Sequence, residues 1–357
     1  MRASPRTAAR DGPDAARRRA PAHRVASDAV RIAICGSIAT DHLMTFEGRF
    51  ADSLVVEQLD KISVSFLASD LQVRRGGIAA NISFGMAHLG QRPILVGSVG
   101  EDFADYRSWL ERHGVDCESV HVSDTLHTAR FVCTTDTDMA QMATFYAGAM
   151  AEARTIELGP IADRVGGLDL VLIGADDPEA MLRHTEECRT RGLRFVADPS
   201  QQLAFADGAF IRRLIDGADY LFTNEYESHL TEHKTGWSSD EIADRVTTRV
   251  TTKGKDGATI DTRGEEPVHV DVAVGVQPVD PTGVGDAFRA GFLTGLVNGL
   301  PHRRCAELGS VLAAYVIETV GTQEYRLSES AFLERLRASY GEESASEIAP
   351  HLHCPRP

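Results

Sequence analysis

The chain has 357 residues, of which 43% are hydrophobic and 25% charged, a composition typical of a globular protein with one large domain, alone or with a smaller accessory piece. Its formal net charge of −15 argues against general affinity for nucleic acid, because phosphate backbones attract basic surfaces. No run of about eighteen or more apolar residues occurs, so a membrane-spanning helix is excluded and no membrane partner is expected.

The first residues differ in composition from the rest of the chain. Seven arginines and three prolines lie within residues 1–24, and no apolar core follows the arginines, so a secretory signal peptide is not predicted. We expect residues 1–28 to be a disordered extension, or to lie upstream of the true start. The six cysteines are scattered without a CxxC pair, which predicts reduced thiols in a cytoplasmic protein.

From residue 30 onward, short aliphatic runs alternate with amphipathic stretches. The runs predict strands buried on both faces, at residues 30–35, 93–99, 169–173, 193–197, 219–223 and 247–251. The stretches predict helices at residues 78–89, 103–113, 178–191 and 210–215. Such alternation indicates a mostly parallel central sheet flanked by helices, with ligands at the carboxyl ends of the strands.

Two regions interrupt this alternation. Residues 61–66 (KISVSF), within a first region at 41–66, alternate between polar and apolar positions, and residues 126–146 have the pattern of two paired strands. One polar face is typical of a small sheet that is exposed on one side. We therefore predict a small β-sheet lid over the main sheet.

The most informative motif is DPTGVGDAF at residues 280–288, just before a predicted helix. Its glycines let the backbone approach a phosphate, and the N–H groups of Gly283, Val284 and Gly285 can form an anion hole at the helix start. Asp286 can then remove the proton of a hydroxyl that attacks the phosphate. The structural alternative is that Asp286 only caps the helix, but capping leaves the preceding TGVG unexplained.

Two motifs predict a site for hydroxyl groups. GSIATDH at residues 36–42 follows the first strand, where the Asp41 carboxylate can accept hydrogen bonds from two adjacent hydroxyls. GGIAAN at residues 76–81 opens a helix, so that Gly77 allows close approach and Asn81 offers a donor and an acceptor. A dehydrogenase is disfavoured, because the G-x-G-x-x-G spacing is missing.

Two further motifs are ambiguous when they are considered by themselves. TNEYE at residues 223–227 is also typical of a helix start with acidic residues in its first turn. VTTKGKDGA at residues 250–258 is also typical of a hairpin turn.

Together these motifs resemble the ribokinase-like (phosphofructokinase-B) superfamily, with its diglycine, N-x-x-E and D-T-x-G-A-G-D signatures. Over about residues 30–345 the chain is similar to bacterial adenosine kinases of the actinobacterial type. It departs from the family pattern by the inserted Pro281, by Val284 in place of alanine, and by Phe205 in place of a basic residue.

The resemblance implies an α/β ribokinase-like domain at residues 29–345, with the lid inserted at about 41–66 and 126–146 and a C-terminal tail at 346–357. It implies ATP-dependent phosphorylation of the 5′-hydroxyl of adenosine to AMP, in purine salvage, by a cytoplasmic homodimer. It also implies Mg²⁺ with ATP and allows a monovalent cation such as K⁺.

The family pattern assigns Asp286 as the catalytic base, and Glu227 as a residue that helps to place Mg²⁺ through water. It puts the ATP-binding positions at Asn224, Thr252, Gly254 and Gly285. It puts the nucleoside at Ser37, Asp41, Ser65, Gly77, Asn81, Phe131, Phe145, Gln201 and Gln202. The two phenylalanines would flank the adenine, although strand phenylalanines usually belong to a core.

Two classes of alternative function remain at this stage. The phosphate motifs are shared by ribokinases, fructokinases and other nucleoside kinases, so they do not select the substrate. A noncatalytic nucleoside-binding protein on the same fold is a different class, and it has no need of a base beside the anion hole.

Overall fold

The computed structural model describes residues 30–53 and 63–354. In these residues the strands are β1 (Ile32–Cys35), β2 (Ala39–Phe46), β3 (Ala68–Gly76), β4 (Ile94–Val96), β5 (Ser98–Gly100), β6 (His121–Ser123), β7 (Ala129–Thr135), β8 (Gln141–Tyr146), β9 (Leu170–Gly174), β10 (Phe195–Asp198), β11 (Tyr220–Asn224), β12 (Thr248–Thr252), β13 (Ala258–Thr262) and β14 (Val268–Val270). The helices are α1 (Phe50–Ser53), α2 (Ile78–His88), α3 (Ala104–Arg112), α4 (Leu158–Val165), α5 (Pro178–Arg191), α6 (Gln202–Phe205), α7 (Gly208–Ile215), α8 (Glu225–Thr235), α9 (Ser239–Ala243), α10 (Val284–Val297), α11 (His302–Ile317) and α12 (Glu329–Ile348). The predicted extension over residues 1–28 lies outside the described residues.

The central sheet has eight strands in the order β14-β13-β12-β11-β10-β9-β1-β4. Neighbours from β4 to β12 are parallel, and β13 and β14 add an antiparallel edge. The prediction of a mostly parallel sheet is therefore confirmed. Because β1 lies between β4 and β9, the order of the strands reverses at β1, which is where open α/β sheets bind ligands.

Two apolar cores cover the two faces of this sheet. In β1 the side chains of Ile32 and Ile34 join the core that contains α2, α10, α11 and α12. Ala33 and Cys35 join the other core, with α4, α5 and α7. Burial on both faces explains why the strands are short, continuous apolar runs.

The lid is a four-stranded sheet in the order β3-β2-β7-β8. The pairing is antiparallel except between β2 and β7. The strand that the alternation predicted at residues 61–66 is wrong, since 63–67 have no regular structure and 61–62 lie outside the described residues. The strand is instead β3, which is nine residues long and pairs with β2, and its polar and apolar side chains are both largely exposed.

Two other boundaries differ from the predictions. The strand predicted over 93–99 is split at Gly97 into β4 and β5, because Gly97 packs so closely that a Cβ there would lie 2.7 Å from the Gly36 carbonyl oxygen. The domain end predicted at residue 345 lies inside α12, and Leu352 beyond it is buried in the core. None of the helices within 30–53 and 63–354 has the length and apolar character needed to cross a bilayer.

Candidate active site at the end of the central sheet

The site begins where β1 meets α2. Ser37 is buried, and its Oγ accepts a hydrogen bond from the N–H of Ile78 at 3.1 Å, so this hydroxyl caps α2. Gly77 has φ 94°, and a Cβ there would lie 2.5 Å from the Ser37 carbonyl oxygen. Only glycine fits this close approach, which is the physical reason for the diglycine before the helix.

Asp41 lies in a row of side chains that crosses the lid. Its cross-strand neighbours are Arg74 on β3 and Phe131 on β7, and Phe131 pairs with Phe145 on β8. Directly opposed residues point to the same face of a sheet, so the four side chains share one face. That face is turned toward the main domain, since the Arg74 guanidinium lies 3.8 Å from the Asp280 carboxylate.

The Asp41 carboxylate lies beside the diglycine, because a Cβ on Gly76 would be 3.3 Å from its Oδ2. Partial burial raises the pKa of Asp41 to about 6, and the nearby Arg74 guanidinium opposes this rise. A carboxylate that is held in such a place is stabilised by hydrogen-bond donors from a ligand, as the two hydroxyls of a diol would supply.

Asp286 faces the same space from the first turn of α10. Its Oδ2 accepts a hydrogen bond from Asn81 Nδ2 at 2.8 Å, across 205 residues of sequence. Burial raises the pKa of Asp286 to about 6, while the Asn81 hydrogen bond and the Arg289 guanidinium oppose the rise. A carboxylate with such a pKa can take up and release a proton near neutral pH.

The start of α10 presents free backbone N–H groups, but not the full predicted set. Gly283, with φ 76°, precedes the helix, and a Cβ there would clash with Thr322 at 2.8 Å. The predicted donor Val284 is not free, since its N–H donates to the Pro281 carbonyl oxygen at 3.4 Å. Within the described part of the chain, the N–H groups of Gly283, Gly285 and Asp286 donate no hydrogen bond. These groups and the positive end of the helix dipole are available to an anion.

A buried ion pair holds this helix against the sheet. Arg289 Nη2 donates to Asp198 Oδ1 at 2.7 Å, and Nε donates to the other carboxylate oxygen. Asp198 ends β10, and Arg289 Nη1 also donates to the Gly285 carbonyl oxygen at 3.1 Å. The pair therefore links the anion hole to the segment that follows β10.

The TNEYE motif at residues 223–227 caps the start of α8. Asn224 Oδ1 accepts from the N–H of Glu227 at 2.8 Å, and Glu227 Oε2 accepts from the N–H of Asn224 at 2.8 Å. This is a capping box at the start of α8, so the structural interpretation of TNEYE holds locally. Burial raises the pKa of Glu227, whose other carboxylate oxygen accepts no hydrogen bond within the described residues.

A cavity of about 500 Å³ lies beside the anion hole. All four predicted ATP positions line it: Asn224, Thr252, Gly254 and Gly285. The rest of its wall is mostly aliphatic and comes from the segment after β13 and from α11, including Val270, Val276, Ala314 and Ile317. An apolar slot that ends at a phosphate cradle fits a purine nucleotide.

Comparison with known proteins agrees with this geometry. The sequence matches the pfkB family of carbohydrate kinases over residues 50–329, well over half of its length.

The chain belongs to the pfkB family.

Several relatives of this kinase are nucleoside kinases. One from Methanothermobacter thermautotrophicus is 33% identical over 276 residues, which cover 75% of this chain and 86% of the relative. The structure of a Burkholderia thailandensis nucleoside kinase in complex with inosine has a TM-score of 0.76 at 35% identity, and the match covers 87% of this chain and 99% of that one. A Methanocaldococcus jannaschii nucleoside kinase has a TM-score of 0.74 at 25% identity over 86% and 98% of the two chains.

Membership of the family defines the general reaction of this kinase. It transfers a phosphoryl group from Mg-ATP to a hydroxyl of a carbohydrate or a nucleoside. No cluster of three or more His, Cys, Asp or Glu side chains suited to a metal occurs in the part of the chain that the structure describes. Kinases of the pfkB family use Mg²⁺ together with ATP. Glu227 is the residue that the sequence predicts to help place this Mg²⁺ through water.

Besides Val284, three predicted residues of the kinase depart from the predicted arrangement, and the structure brings most of the others together. Ser65 is exposed in the irregular segment 63–67, and Gln201 is exposed after β10. Gln202 Nε2 donates to the Asp176 carbonyl oxygen at 2.7 Å, so only its Oε1 is left for a ligand. No sequence motif indicated Arg74 or Gln323, whose Nε2 donates to Asn81 Oδ1.

Proposed function

We propose that this kinase phosphorylates the 5′-hydroxyl of a purine nucleoside, and that adenosine is its substrate. The observation that carries the proposal is the row Asp41–Phe131–Phe145 on the inner face of the lid. The Asp41 carboxylate is next to Phe131, and Phe145 follows one strand further along the same face. A nucleoside likewise presents a ribose diol next to a flat base. A free sugar has no group for the rings.

The spacing of the row suits a nucleoside. Neighbouring strands lie about 4.7–4.9 Å apart, so Phe131 is one strand spacing from Asp41 and Phe145 is two. Phe145 is 53% exposed, so its ring has surface that a base can cover. Stacking on an aromatic side chain contributes about 1–3 kcal/mol per base.

The reaction follows from the two sides of the site. Asp286 would accept the 5′-hydroxyl proton as the oxygen attacks the γ-phosphorus and the bond to the leaving ADP breaks, while the free N–H groups at the start of α10 stabilise charge on the transferred phosphoryl group. ATP would lie in the cavity of about 500 Å³, and Glu227 would help to hold Mg²⁺, which would neutralise phosphate charge. Whether K⁺ is also required is tested by assaying Mg-ATP turnover with and without it.

We propose adenosine rather than inosine because the sequence resembles bacterial adenosine kinases. The structure of the related Burkholderia thailandensis nucleoside kinase is a complex with inosine, so inosine is the alternative purine nucleoside. A ribokinase or fructokinase activity is the second candidate, which the shared phosphate motifs allow. A noncatalytic nucleoside-binding protein is disfavoured, because binding does not require a carboxylate of raised pKa beside an anion hole.

We expect 2′-deoxyadenosine to be a poorer substrate than adenosine by at least about tenfold in kcat/KM, since loss of one hydroxyl leaves the Asp41 carboxylate short of a donor at a cost of about 1–3 kcal/mol. Asp41→Ala should lose activity on adenosine and discriminate less between the two nucleosides. Asp70→Ala is the matched control, because Asp70 lies on the same sheet but outside the row and is exposed. Equal kcat/KM values for the two nucleosides in the wild type would show that Asp41 does not bind the diol.

We also propose that the chain forms a homodimer through the outer face of the lid. Val73 and Leu71 on β3 are 57% and 55% exposed, and their neighbours His42, Met44 and Met142 lie on the same face. A sheet face of this apolar character is typical of a protein interface.

Sedimentation velocity should therefore show a dimer for the wild type and a monomer for Val73→Asp, because the new charge would be buried in the interface. Val30→Asp, at an exposed position outside the lid, is the control and should remain dimeric. A monomeric wild type at micromolar concentration contradicts the proposal.

A further inference from the structure

A buried chain of hydrogen bonds runs from α3 to Asp286. Trp109 Nε1 donates to Gln323 Oε1 at 3.1 Å, and Gln323 Nε2 donates to Asn81 Oδ1 at 3.0 Å. Asn81 Nδ2 then donates to Asp286 Oδ2 at 2.8 Å. Gln323 Nε2 also donates to the Tyr106 hydroxyl at 2.6 Å, and this hydroxyl donates to the Gly76 carbonyl oxygen at 3.0 Å.

The Trp109 indole N–H and the Gly76 carbonyl oxygen determine which partner donates in each of these hydrogen bonds. The Trp109 indole N–H can only donate, so Gln323 must present its oxygen to Trp109. The Gly76 carbonyl oxygen can only accept, so the single Tyr106 proton is used there and the hydroxyl must accept from Gln323. Both constraints give the same orientation of the Gln323 amide, with its NH₂ group toward Asn81.

The orientation of Asn81 follows from that of Gln323. Oxygen and nitrogen of an amide have nearly the same size, so packing alone does not distinguish the two orientations. Gln323 supplies a donor, which must meet Asn81 Oδ1, and Nδ2 is therefore turned to Asp286. In the reverse orientation, Asn81 Oδ1 would face the Asp286 carboxylate at hydrogen-bond distance, which only a protonated Asp286 would tolerate.

We propose that Gln323 is a positioning residue, oriented by Trp109 and Tyr106, which holds the Asn81 amide as a donor to Asp286 Oδ2. The other oxygen, Oδ1, accepts no hydrogen bond in the described part of the chain and is free for the acceptor hydroxyl. This role rests on the proposed function, because it keeps Asp286 ionised as a base. Gln323 is 1% exposed and acts only through Asn81.

Other charged groups also act on Asp286. Arg289, on the same helix, favours its ionised form, whereas Asp198 at the end of β10 and Glu227 on α8 favour the protonated form. These three groups are common to the wild type and to variants at Trp109 or Gln323. A change in the pKa of Asp286 in such variants is therefore caused by the change in the hydrogen bonds from Trp109 through Gln323 and Asn81.

The proposal is tested by carboxyl ¹³C NMR titration of protein labelled at aspartate, with the Asp286 signal assigned by its loss in Asp286→Asn. Two variants break the chain in different ways. Trp109→Phe is neutral and removes the donor that orients Gln323. Gln323→Glu removes the donor to Asn81 and adds a charge. We expect pKa rises for Asp286 of about 0.5 unit or more in Trp109→Phe and about 1 unit or more in Gln323→Glu.

Gln91→Glu is the control for added charge, because Gln91 follows the opposite end of α2 from the site, and it should leave the titration unchanged. The acid limb of the kcat/KM profile should move with the NMR pKa in both test variants. A shift in Gln323→Glu alone is an effect of charge and would overturn the orientation role, as would no shift in either variant. Should Gln323→Glu fail to fold, Trp109→Phe decides the matter.

The titration needs no substrate. Absence of nucleoside phosphorylation by the wild type would therefore overturn the proposed function. The effect of Gln323 on the pKa of Asp286 is decided separately, by the NMR titration.

Discussion

Asp286→Asn is expected to lower kcat on adenosine by about 10²–10⁴-fold, because the amide cannot accept the 5′-hydroxyl proton. The affinity for adenosine should change little, since the diol and the base are held by the lid row. In the wild type, kcat/KM should fall as the pH decreases through about 6, where Asp286 becomes protonated. Steady-state kinetics between pH 5 and about 8, with adenosine affinity measured separately by calorimetry, checks these expectations.

The stability of the same variant provides an independent check. Because burial raises the pKa of Asp286, the folded protein holds its proton more tightly than the unfolded chain does, and ionisation lowers stability as the pH rises from about 4 to about 6. Asp286→Asn removes that ionisation, so its melting temperature near pH 7.5 should equal or exceed that of the wild type. Asp163→Asn, at an exposed position on α4, is the control for both measurements. A variant with more than a tenth of wild-type kcat contradicts the role of base.

Arg289→Met is expected to have the largest effect on stability. The side chains of Arg289 and Asp198 are 7% and 0% exposed, so loss of the guanidinium leaves an uncompensated buried carboxylate. Removing one partner of a buried pair costs about 3–5 kcal/mol. Urea unfolding should show this loss, and Arg289→Met/Asp198→Leu should recover part of it because no unpaired charge remains.

A surface pair provides the contrast. Arg183 donates to Glu157 at 2.7 Å, with side chains 40% and 58% exposed. Arg183→Met should cost no more than about 1 kcal/mol, since solvent screens exposed pairs. If Arg289→Met is no more destabilising than Arg183→Met, the buried pair does not hold α10 in place.

The main sheet could be predicted from the sequence because its strands obey a simple physical rule. Strands such as β9 and β10 are buried on both faces and are therefore continuous apolar runs. The lid does not obey that rule. In β3 polar and apolar residues alternate from Asp70 to Arg74, but side chains of both kinds are largely exposed, so this short alternation does not mark a half-buried strand. The more regular alternation at residues 61–66 led to the wrong assignment.

The site shows a similar division. Gly77 and Gly283 are required by backbone conformation and close approach, which leave a local mark in the sequence. The partner of Asn81 leaves no such mark, because Gln323 is 242 residues away and an ordinary glutamine by composition. Likewise, the aliphatic wall of the nucleotide cavity has the composition of any core, so no local pattern distinguishes it.

Phosphorylation of adenosine by this kinase is best tested by ADP release with Mg-ATP, measured for adenosine, inosine, ribose and fructose under the same conditions. We expect the highest kcat/KM for adenosine, lower values for inosine, and little or no turnover of the two sugars, which leave the Phe131 and Phe145 rings uncovered. A higher kcat/KM for ribose or fructose than for either nucleoside would contradict the assignment and leave only the pfkB-family kinase.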